Sequence, residues 1–294
     1  MTQMTANNPL AGAFRKPKSW VRLLGTDIGA YPEGFITADN EKLEVGVKPM
    51  TGSDETLLNN PDGLLNGESI VSVIKSCCPT ISDPTKLLHI DIRLLMTEIR
   101  RNSYGKEHDI DETCPKCGHV QKKTLDLDMV LSNVRRFSDG FNVVELDGDL
   151  EVMLHPYDFS QYKKILDIGY KESKSLRALS PDSGVSDDER LAVFSKMYKE
   201  MSTLNRDILM SSIASVSLAG NVVTEPQFIT EFFMEIDRES SAKIKEKVDD
   251  MNNHGVQSKL DTKCQNCQHE HIIDVNFDQM SFFTRSSDQA THNR

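Results

Sequence analysis

Two Cys-x-x-Cys motifs constrain the fold of this chain more than any other feature of its sequence. The segment DETCPKCGHVQKKTLDLDM covers residues 111 to 129, and DTKCQNCQHEHIIDVNFDQM covers residues 261 to 280. The repeat indicates shared ancestry or shared geometry, so the chain must place two equivalent cysteine turns either in two sites or in one. With Cys114 over Cys264, 150 positions later, six further positions match in identity or character: Ile110 over Leu260, Asp111 over Asp261, His119 over His269, Leu125 over Val275, Leu127 over Phe277 and Asp128 over Asp278.

The two turns together offer a complete set of ligands for one metal ion. A Cys-x-x-Cys turn presents two thiolates on one side of a tight loop, and zinc accepts four thiolates in a tetrahedron at about 2.3 Å. Short strand-like runs flank both turns, as in a zinc ribbon with one hairpin on each side of the ion. The sequence therefore predicts one structural zinc ion held by Cys114, Cys117, Cys264 and Cys267. Such a closed shell leaves no position for a substrate, so the predicted site is not catalytic.

Three other interpretations of the cysteines stay open from the sequence. Each turn could hold its own zinc ion, completed by His119 in the first turn and by His269 and His271 in the second. A redox Cys-x-x-Cys is expected at a helix N-terminus, where the dipole lowers the thiol pKa, whereas both turns here lie between strand-like runs. The cysteines could also belong to a degenerate ribbon that packs without metal. The shared zinc ion is the interpretation that we favour.

Composition limits the classes of protein to which the chain can belong. Its 294 residues suffice for one or two domains. A formal charge of −11, from 34 Lys and Arg against 45 Asp and Glu, opposes binding to a polyphosphate backbone. No apolar run reaches the roughly 18 residues of a membrane span, and the N-terminus lacks the layout of a signal peptide. We therefore expect a soluble, intracellular protein with reduced cysteines, of which Cys77 has the spacing of a core residue on a helix.

Periodicity predicts an α+β fold, in which helices alternate with short antiparallel hairpins and the zinc-ribbon-like module links the two halves of the chain. A hairpin is predicted around Asp147 and Gly148, where apolar residues alternate on both sides. A long helix is predicted from about Asp187 to Ile213. Six apolar residues at helical spacing along it are expected in the core: Leu191, Phe194, Met197, Met201, Leu204 and Ile208.

These signals predict a division of the chain into four parts. The polar run 180–189 between two helical stretches is predicted to be an exposed linker. The shared ribbon is predicted to combine residues 108–128 with residues 258–278. The four parts are a flexible N-terminal arm (1–20), a first α+β half with the first cysteine turn (21–137), a second α+β half with the second turn (138–284), and a flexible tail (285–294).

Several features in fixed order carry a resemblance to a known family. They are the segment GSDETLLNNPDGLLNGESIVSVIKSC, an apolar helix that closes in residues 99–105, the CPKC turn, and LDLDMV. This order resembles the baseplate hub proteins of contractile-tailed phages of the T-even type, called hub subunits or hub assembly chaperones. The resemblance covers about residues 48 to 134 and, more loosely, residues 213 to 283, which include CQNC and Ser281-Phe282-Phe283.

The resemblance implies a non-enzymatic protein that acts with other phage tail proteins, and the sequence contains no phosphate loop, nucleophile elbow or metalloprotease motif. Its partners would be other baseplate hub or tail-tube proteins, with the tape-measure protein as a further candidate, in a symmetric assembly of several proteins. It would act in the host cytoplasm during assembly and then belong to the tail baseplate of the virion. The competing prediction is a zinc-ribbon regulator that binds nucleic acid, which the acidic residues around both turns disfavour.

Overall fold

The computed structural model describes residues 13–37, 43–58, 67–165 and 186–275, and these residues adopt the predicted α+β fold. No helix within these ranges is both long enough and apolar enough to span a membrane. The predicted tail lies outside them. The first elements are β1 (Ser19–Arg22), β2 (Glu44–Val47), α1 (Gly52–Leu58), α2 (Glu68–Cys77), α3 (His89–Tyr104), β3 (Glu107–Thr113), β4 (Val120–Asp126) and α4 (Leu127–Ser132). They are followed by β5 (Val143–Leu146), β6 (Leu150–Leu154), α5 (Asp187–Ser211), β7 (Ile213–Leu218), β8 (Asn221–Val223), α6 (Pro226–Glu235), α7 (Arg238–Asn252), β9 (Lys259–Lys263) and β10 (Glu270–Asp274).

The described strands form four small antiparallel sheets. Three have two strands each, namely β1 with β2, β3 with β4, and β9 with β10, and the fourth has the order β5-β6-β7-β8. The hairpin predicted around Asp147 and Gly148 is confirmed, since β5 and β6 pair with Leu146 opposite Leu150. Gly148 and Asp149 both have positive φ, at 77° and 59°, which suits a tight hairpin turn.

Helix α3 provides much of the core in the first half of the chain. Six of its apolar residues are buried, and β1, β2, α2 and α4 all contact it. The helix ends at Gly105, whose φ of 93° departs from helical geometry and whose N–H donates to the carbonyl of Arg101. The chain then enters β3 directly, so the position of α3 sets the position of the first cysteine turn. The six residues are Ile90, Ile92, Leu94, Leu95, Met96 and Ile99.

A buried carboxylate fixes the turn after β1 against α3. Asp91 accepts hydrogen bonds from the backbone N–H groups of Leu24 (2.5 Å) and Gly25 (2.9 Å) and from the hydroxyl of Tyr31 (2.7 Å). That hydroxyl in turn accepts from the N–H of Leu88 at 2.9 Å. Burial raises the pKa of Asp91 to about 6, although these donors oppose the shift. The carboxylate therefore accepts hydrogen bonds from three donors of the segment after β1.

The residues just before β1 are held against α1 and α2. The guanidinium of Arg15 pairs with Asp54 at 3.1 Å and donates to the carbonyl of Ser76 at 2.9 Å. Lys18 donates to the carbonyl of Asn102 on α3 at 2.8 Å. Of the predicted N-terminal arm, residues 1–12 lie outside the described ranges.

The segment after α7 packs into the first half of the chain. Arg135 and Gly255 exchange two backbone hydrogen bonds, at 3.0 Å and 2.8 Å. Arg93 on α3 donates to the carbonyl of His254 at 3.1 Å. Gly255 has a φ of 83°, and a Cβ there would lie 3.0 Å from a methyl group of Leu24, so the close approach requires glycine. The second cysteine turn therefore starts from a point that is fixed to α3 and the loop after α4.

Helix α5 ends at Ser211, near the predicted end, but the prediction that its apolar face lies in the core is wrong for its first half. Leu191 is 66% exposed and Phe194 is 46% exposed, whereas Ile208 is buried. Met197, Met201 and Leu204 have intermediate burial. Helix α5 packs against β7 and α6, and the burial is at its C-terminal end. Of the predicted linker, residues 180–185 lie outside the described ranges, and Asp187 already begins the helix.

Candidate metal centre

The two cysteine turns close two antiparallel hairpins of the same register. In the first, Thr113 pairs with Val120 at the turn, and in the second, Lys263 pairs with Glu270. These pairs are related by the 150-residue offset of the sequence repeat. The hairpins pack against each other through the alternate residues that each strand turns inward, such as Glu112 and Thr262. The arrangement is that of two hairpins with matching strand registers that face each other.

Matching backbone hydrogen bonds hold the two turns. In the first, the N–H of Cys114 donates to the carbonyl of His119 and that of Gly118 to the carbonyl of Cys114, both at 2.9 Å. In the second, the N–H of Cys264 donates to the carbonyl of His269 at 2.9 Å, and that of Gln268 to the carbonyl of Cys264 at 3.0 Å. The turn requires a left-handed residue before the histidine, with φ of 70° at Gly118 and 59° at Gln268. The second turn therefore adopts this geometry without the glycine that favours it.

The four cysteine sulfur atoms of the two turns converge on one site. They all lie within 4.8 Å of one another, with Cys114 Sγ 3.7 Å from Cys267 Sγ and Cys117 Sγ 3.7 Å from Cys264 Sγ. Four sulfurs at about 2.3 Å from a common centre form a tetrahedron with edges of about 3.8 Å. The residues present therefore fit a single four-coordinate metal ion, and the donor set could hold one.

The surroundings of the thiols also suit a cation. Hydrogen bonds, above all from the backbone of His119, lower the pKa of Cys117 to about 6. The backbone of His269 acts in the same direction on Cys267, but burial and the three neighbouring sulfurs raise the pKa of Cys267 to about 12. The neighbouring thiols thus favour a thiolate at Cys117 and oppose a further one at Cys267, and a bound divalent cation would remove that opposition.

One side of the site is buried in protein and the other faces solvent. Cys114 and Cys264, the first cysteine of each turn, are buried, whereas Cys117 is exposed and Cys267 has intermediate burial. The side-chain amide of Asn266 approaches Cys117 Sγ at 3.8 Å from the opposite turn. The first cysteine of each turn is therefore shielded from solvent, and the second is more accessible.

A glutamine bridges the two hairpins next to the cysteines. The side-chain amide of Gln121 donates to the carbonyl of Lys263 at 3.2 Å, and its oxygen accepts from the N–H of Gln265 at 2.7 Å. Lys123 donates to the carbonyl of Asp261 at 3.1 Å. These contacts hold the second turn against the first hairpin independently of the sulfur atoms.

A second bridge involves Glu112, which the sequence did not assign to the site, and His271, which the sequence offered only as a zinc ligand of the second turn. Glu112 accepts from the hydroxyl of Thr262 at 3.1 Å, and its other oxygen lies 2.7 Å from Nε2 of His271. His271 occupies the place in the second hairpin that Gln121 occupies in the first. It cannot accept a hydrogen bond equivalent to the one that Gln121 accepts from Gln265, because the equivalent residue is Pro115, which has no N–H. The alternation along each strand predicts which of its residues point inward, but it does not predict which residue of the other hairpin each one contacts.

The histidines considered as separate zinc ligands are not part of the cluster. Among the described residues, the group of potential ligands contains the four cysteines and no histidine, and His271 instead contacts Glu112. The two turns form one cluster, which disfavours two separate sites.

Cys77 is buried as predicted, and burial raises its pKa to about 11.

These features define a class of protein in which helices and small sheets are joined by a four-cysteine cluster that could hold a metal ion. The family model of the T4 bacteriophage base plate protein matches residues 35–284, and the chain belongs to that family. The match includes both cysteine turns and extends the predicted resemblance to most of the chain. Comparison with curated proteins and with solved structures gives no significant match. The chain is thus a phage baseplate protein, and its family supports a structural role.

Proposed function

We propose that the protein is a non-enzymatic structural or assembly component of the baseplate hub, and that one zinc ion closes its two hairpins. Membership of the base plate family supports the first part. The convergence of Cys114, Cys117, Cys264 and Cys267 within 4.8 Å carries the second. Zinc suits the site because four thiolates in a tetrahedron are its usual structural environment, and because it has no redox chemistry of its own.

The proposed ion fixes the relative position of segments that are distant in sequence. The first hairpin follows α3 directly, and the second follows α7 after a short loop. Metal binding at a site of this kind contributes to folding free energy, since the site does not exist in the unfolded chain. The function of the zinc ion is then to hold the surfaces of the two halves in one arrangement for docking on other tail proteins.

The partners proposed are other baseplate hub or tail-tube proteins, with the tape-measure protein as a further candidate, in a symmetric assembly. The proposed location is the host cytoplasm during assembly and then the tail baseplate of the virion. A regulator that binds nucleic acid is less well supported, because Glu107, Asp111 and Asp261 lie exposed on the hairpins and the net charge is −11. Such a surface repels phosphates.

Two measurements test the proposal, and a third tests the alternative of a regulator. Native mass spectrometry of the purified full-length protein is expected to show one zinc ion per chain; none, or two, would contradict the shared zinc site. A protein inventory of purified virions, with cross-linking of the tails, is expected to find the chain next to hub or tail-tube subunits. Finding its cross-links only at the baseplate periphery would contradict the hub assignment. A DNA mobility shift that weakens with added salt would favour the regulator.

A further inference from the structure

We propose that oxidants of the hydroperoxide class convert the four-cysteine centre into two disulfides across the hairpins, Cys117 with Cys264 and Cys114 with Cys267. This inference rests on the proposed shared site and adds a modification chemistry to it. The hairpins would then remain joined after the ion has left. The centre would thus close the fold in a reduced, metal-bound form and in an oxidised, metal-free form.

The two sulfur–sulfur contacts that meet hydrogen-bond geometry favour pairing between the turns, within a cluster whose four sulfurs all lie within 4.8 Å of one another. Each of the two 3.7 Å contacts joins one cysteine of the first turn to one of the second. A disulfide bond is about 2.05 Å long, so each pair must close by about 1.7 Å. Rotation about side-chain bonds can supply part of such a movement while the backbone hydrogen bonds of each turn are kept. The two pairs have the same sulfur–sulfur distance, and the 150-residue offset of the repeat relates one pair to the other.

Exposure determines which sulfur reacts first. Cys117 is the exposed cysteine of the cluster, and Cys264, its 3.7 Å neighbour, is buried. The Cys117 thiolate attacks one oxygen of hydrogen peroxide, the O–O bond breaks, and the released hydroxide takes a proton to give water. Cys117 is then a sulfenic acid, an oxidation state that condenses readily with a nearby thiol.

The second cysteine resolves this intermediate. The Cys264 thiolate attacks the sulfur of Cys117, the S–O bond breaks, and the departing hydroxide takes a proton to form a second water. Cys117 and Cys264 would then no longer be available as ligands, so a zinc ion held by the four cysteines would be released. A second peroxide oxidises Cys114 and Cys267 in the same way, so that two peroxides and four protons yield two disulfides and four waters.

Contacts outside the cluster keep the pairs close once the ion has left. Gln121 bonds both Lys263 and Gln265 across the interface, and Glu112 contacts both Thr262 and His271. None of these contacts involves a sulfur atom, so metal loss does not break them. They favour pairing between the hairpins over pairing within a turn. Structural disulfides persist at virion surfaces, where the reducing systems of the cytoplasm are absent.

Peptide mapping of the full-length protein provides the test. The zinc-loaded protein is treated with two equivalents of hydrogen peroxide, blocked at free thiols, digested without reductant and analysed by mass spectrometry, while a chromogenic chelator records zinc release. We expect linked peptides containing Cys114 with Cys267 and Cys117 with Cys264, and release of one zinc ion per chain. Links within a turn, Cys114 with Cys117 or Cys264 with Cys267, or sulfinic acids without any disulfide, would overturn the inference.

Paired variants separate the two disulfides. The double variant Cys114→Ser/Cys267→Ser keeps one proposed pair and is expected to form the Cys117–Cys264 link. The matched control Cys117→Ser/Cys267→Ser keeps Cys114 and Cys264, one from each proposed pair, and is expected to lose the cross-link. If the control links as readily as the first variant, the pairing is wrong. A chain that binds no zinc but gives the expected links would refute the zinc proposal and leave this inference standing.

Discussion

Nε2 of His271 on β10 lies 2.7 Å from a carboxylate oxygen of Glu112 on β3, and their side chains are only 8% and 1% exposed. The pair connects the two hairpins from a position near the cysteines but outside the sulfur cluster. Thr262 adds a hydrogen bond to the same carboxylate. The module therefore has a polar interface that assists the proposed metal centre and does not depend on it.

This interface predicts the effect of removing Glu112. Glu112→Ala removes a buried carboxylate that contacts the partly buried His271 and Thr262, and we expect the free energy of unfolding to fall by about 2 kcal/mol. Zinc stoichiometry should stay at one per chain, because no ligand has changed. Urea unfolding and native mass spectrometry measure the two quantities. Asp111→Ala, at the adjacent exposed position, is the control and should change stability little; equal losses in both variants would refute the role of the bridge.

The shared site predicts that a ligand substitution in either turn has the same effect on zinc binding and stability. Cys114→Ser and Cys264→Ser each remove one of four ligands of the same ion, so both should reduce zinc binding and thermal stability to a similar degree. Metal analysis and thermal unfolding record the outcome. Cys77→Ser is the control, because Cys77 lies at the end of α2 and outside the cluster, and it should retain one zinc ion. Loss of metal from only one of the two ligand variants would show that the turns do not share a site.

The buried Asp91 predicts a pH dependence of stability. Its folded pKa of about 6 exceeds the ordinary value of 3.8, so the folded state holds the proton more tightly than the unfolded state. The corresponding stability is fully present below pH 3.8 and is lost as the pH rises through 6, by about 3 kcal/mol for a shift of this size.

Asp91→Asn isolates this contribution, because an amide does not titrate. Its oxygen can accept from only part of the three donors, so the variant should be less stable than the parent at pH 4. The difference in unfolding free energy between parent and variant, measured with urea from pH 4 to pH 7, should shrink as pH rises. A difference that is constant with pH would contradict the raised pKa.

The sequence predicted those parts of the fold that depend on recurrent local patterns, such as the spacing of metal ligands and of hairpin turns. Ligand spacing in the two turns sufficed to predict that Cys114 and Cys264 meet, because metal sites recur with fixed spacing. The pair Glu112 and His271 was not predictable, because strand alternation gives the face of a residue but not its partner. Asp91 interrupts an apolar run between Ile90 and Ile92, and nothing in the pattern shows that backbone donors from a distant turn satisfy it.

Helix α5 shows that helical spacing alone does not predict burial. Helical spacing predicted that Leu191 and Phe194 lie in the core, but periodicity does not reveal which element covers an apolar face. In the structure that face is covered at Ile208 and exposed at Leu191.

This exposure predicts that substitutions at the two ends of α5 lower the free energy of unfolding by different amounts. Leu191→Ser and Phe194→Ser should change the free energy of unfolding by no more than about 0.5 kcal/mol, as is usual for exposed positions. Ile208→Ala, at the buried end, should lower it by about 2 to 4 kcal/mol through loss of packing. Urea unfolding of the three variants measures these costs. A loss at Leu191 as large as that at Ile208 would show that the first half of the helix is buried in solution.

The left-handed residue of each turn gives a matched pair of substitutions. Gln268 has a φ of 59°, and Gly118 at the equivalent position has 70°. Gln268→Gly should relieve backbone strain and raise the free energy of unfolding by about 1 kcal/mol, less the value of the hydrogen bond from its side chain to the carbonyl of Gln265. Gly118→Ala should lower stability, although a Cβ there meets no atom within 4 Å, because only the backbone conformation resists it. Thermal unfolding of both zinc-loaded variants tests the equivalence of the turns, which would be contradicted if both substitutions shifted Tm in the same direction.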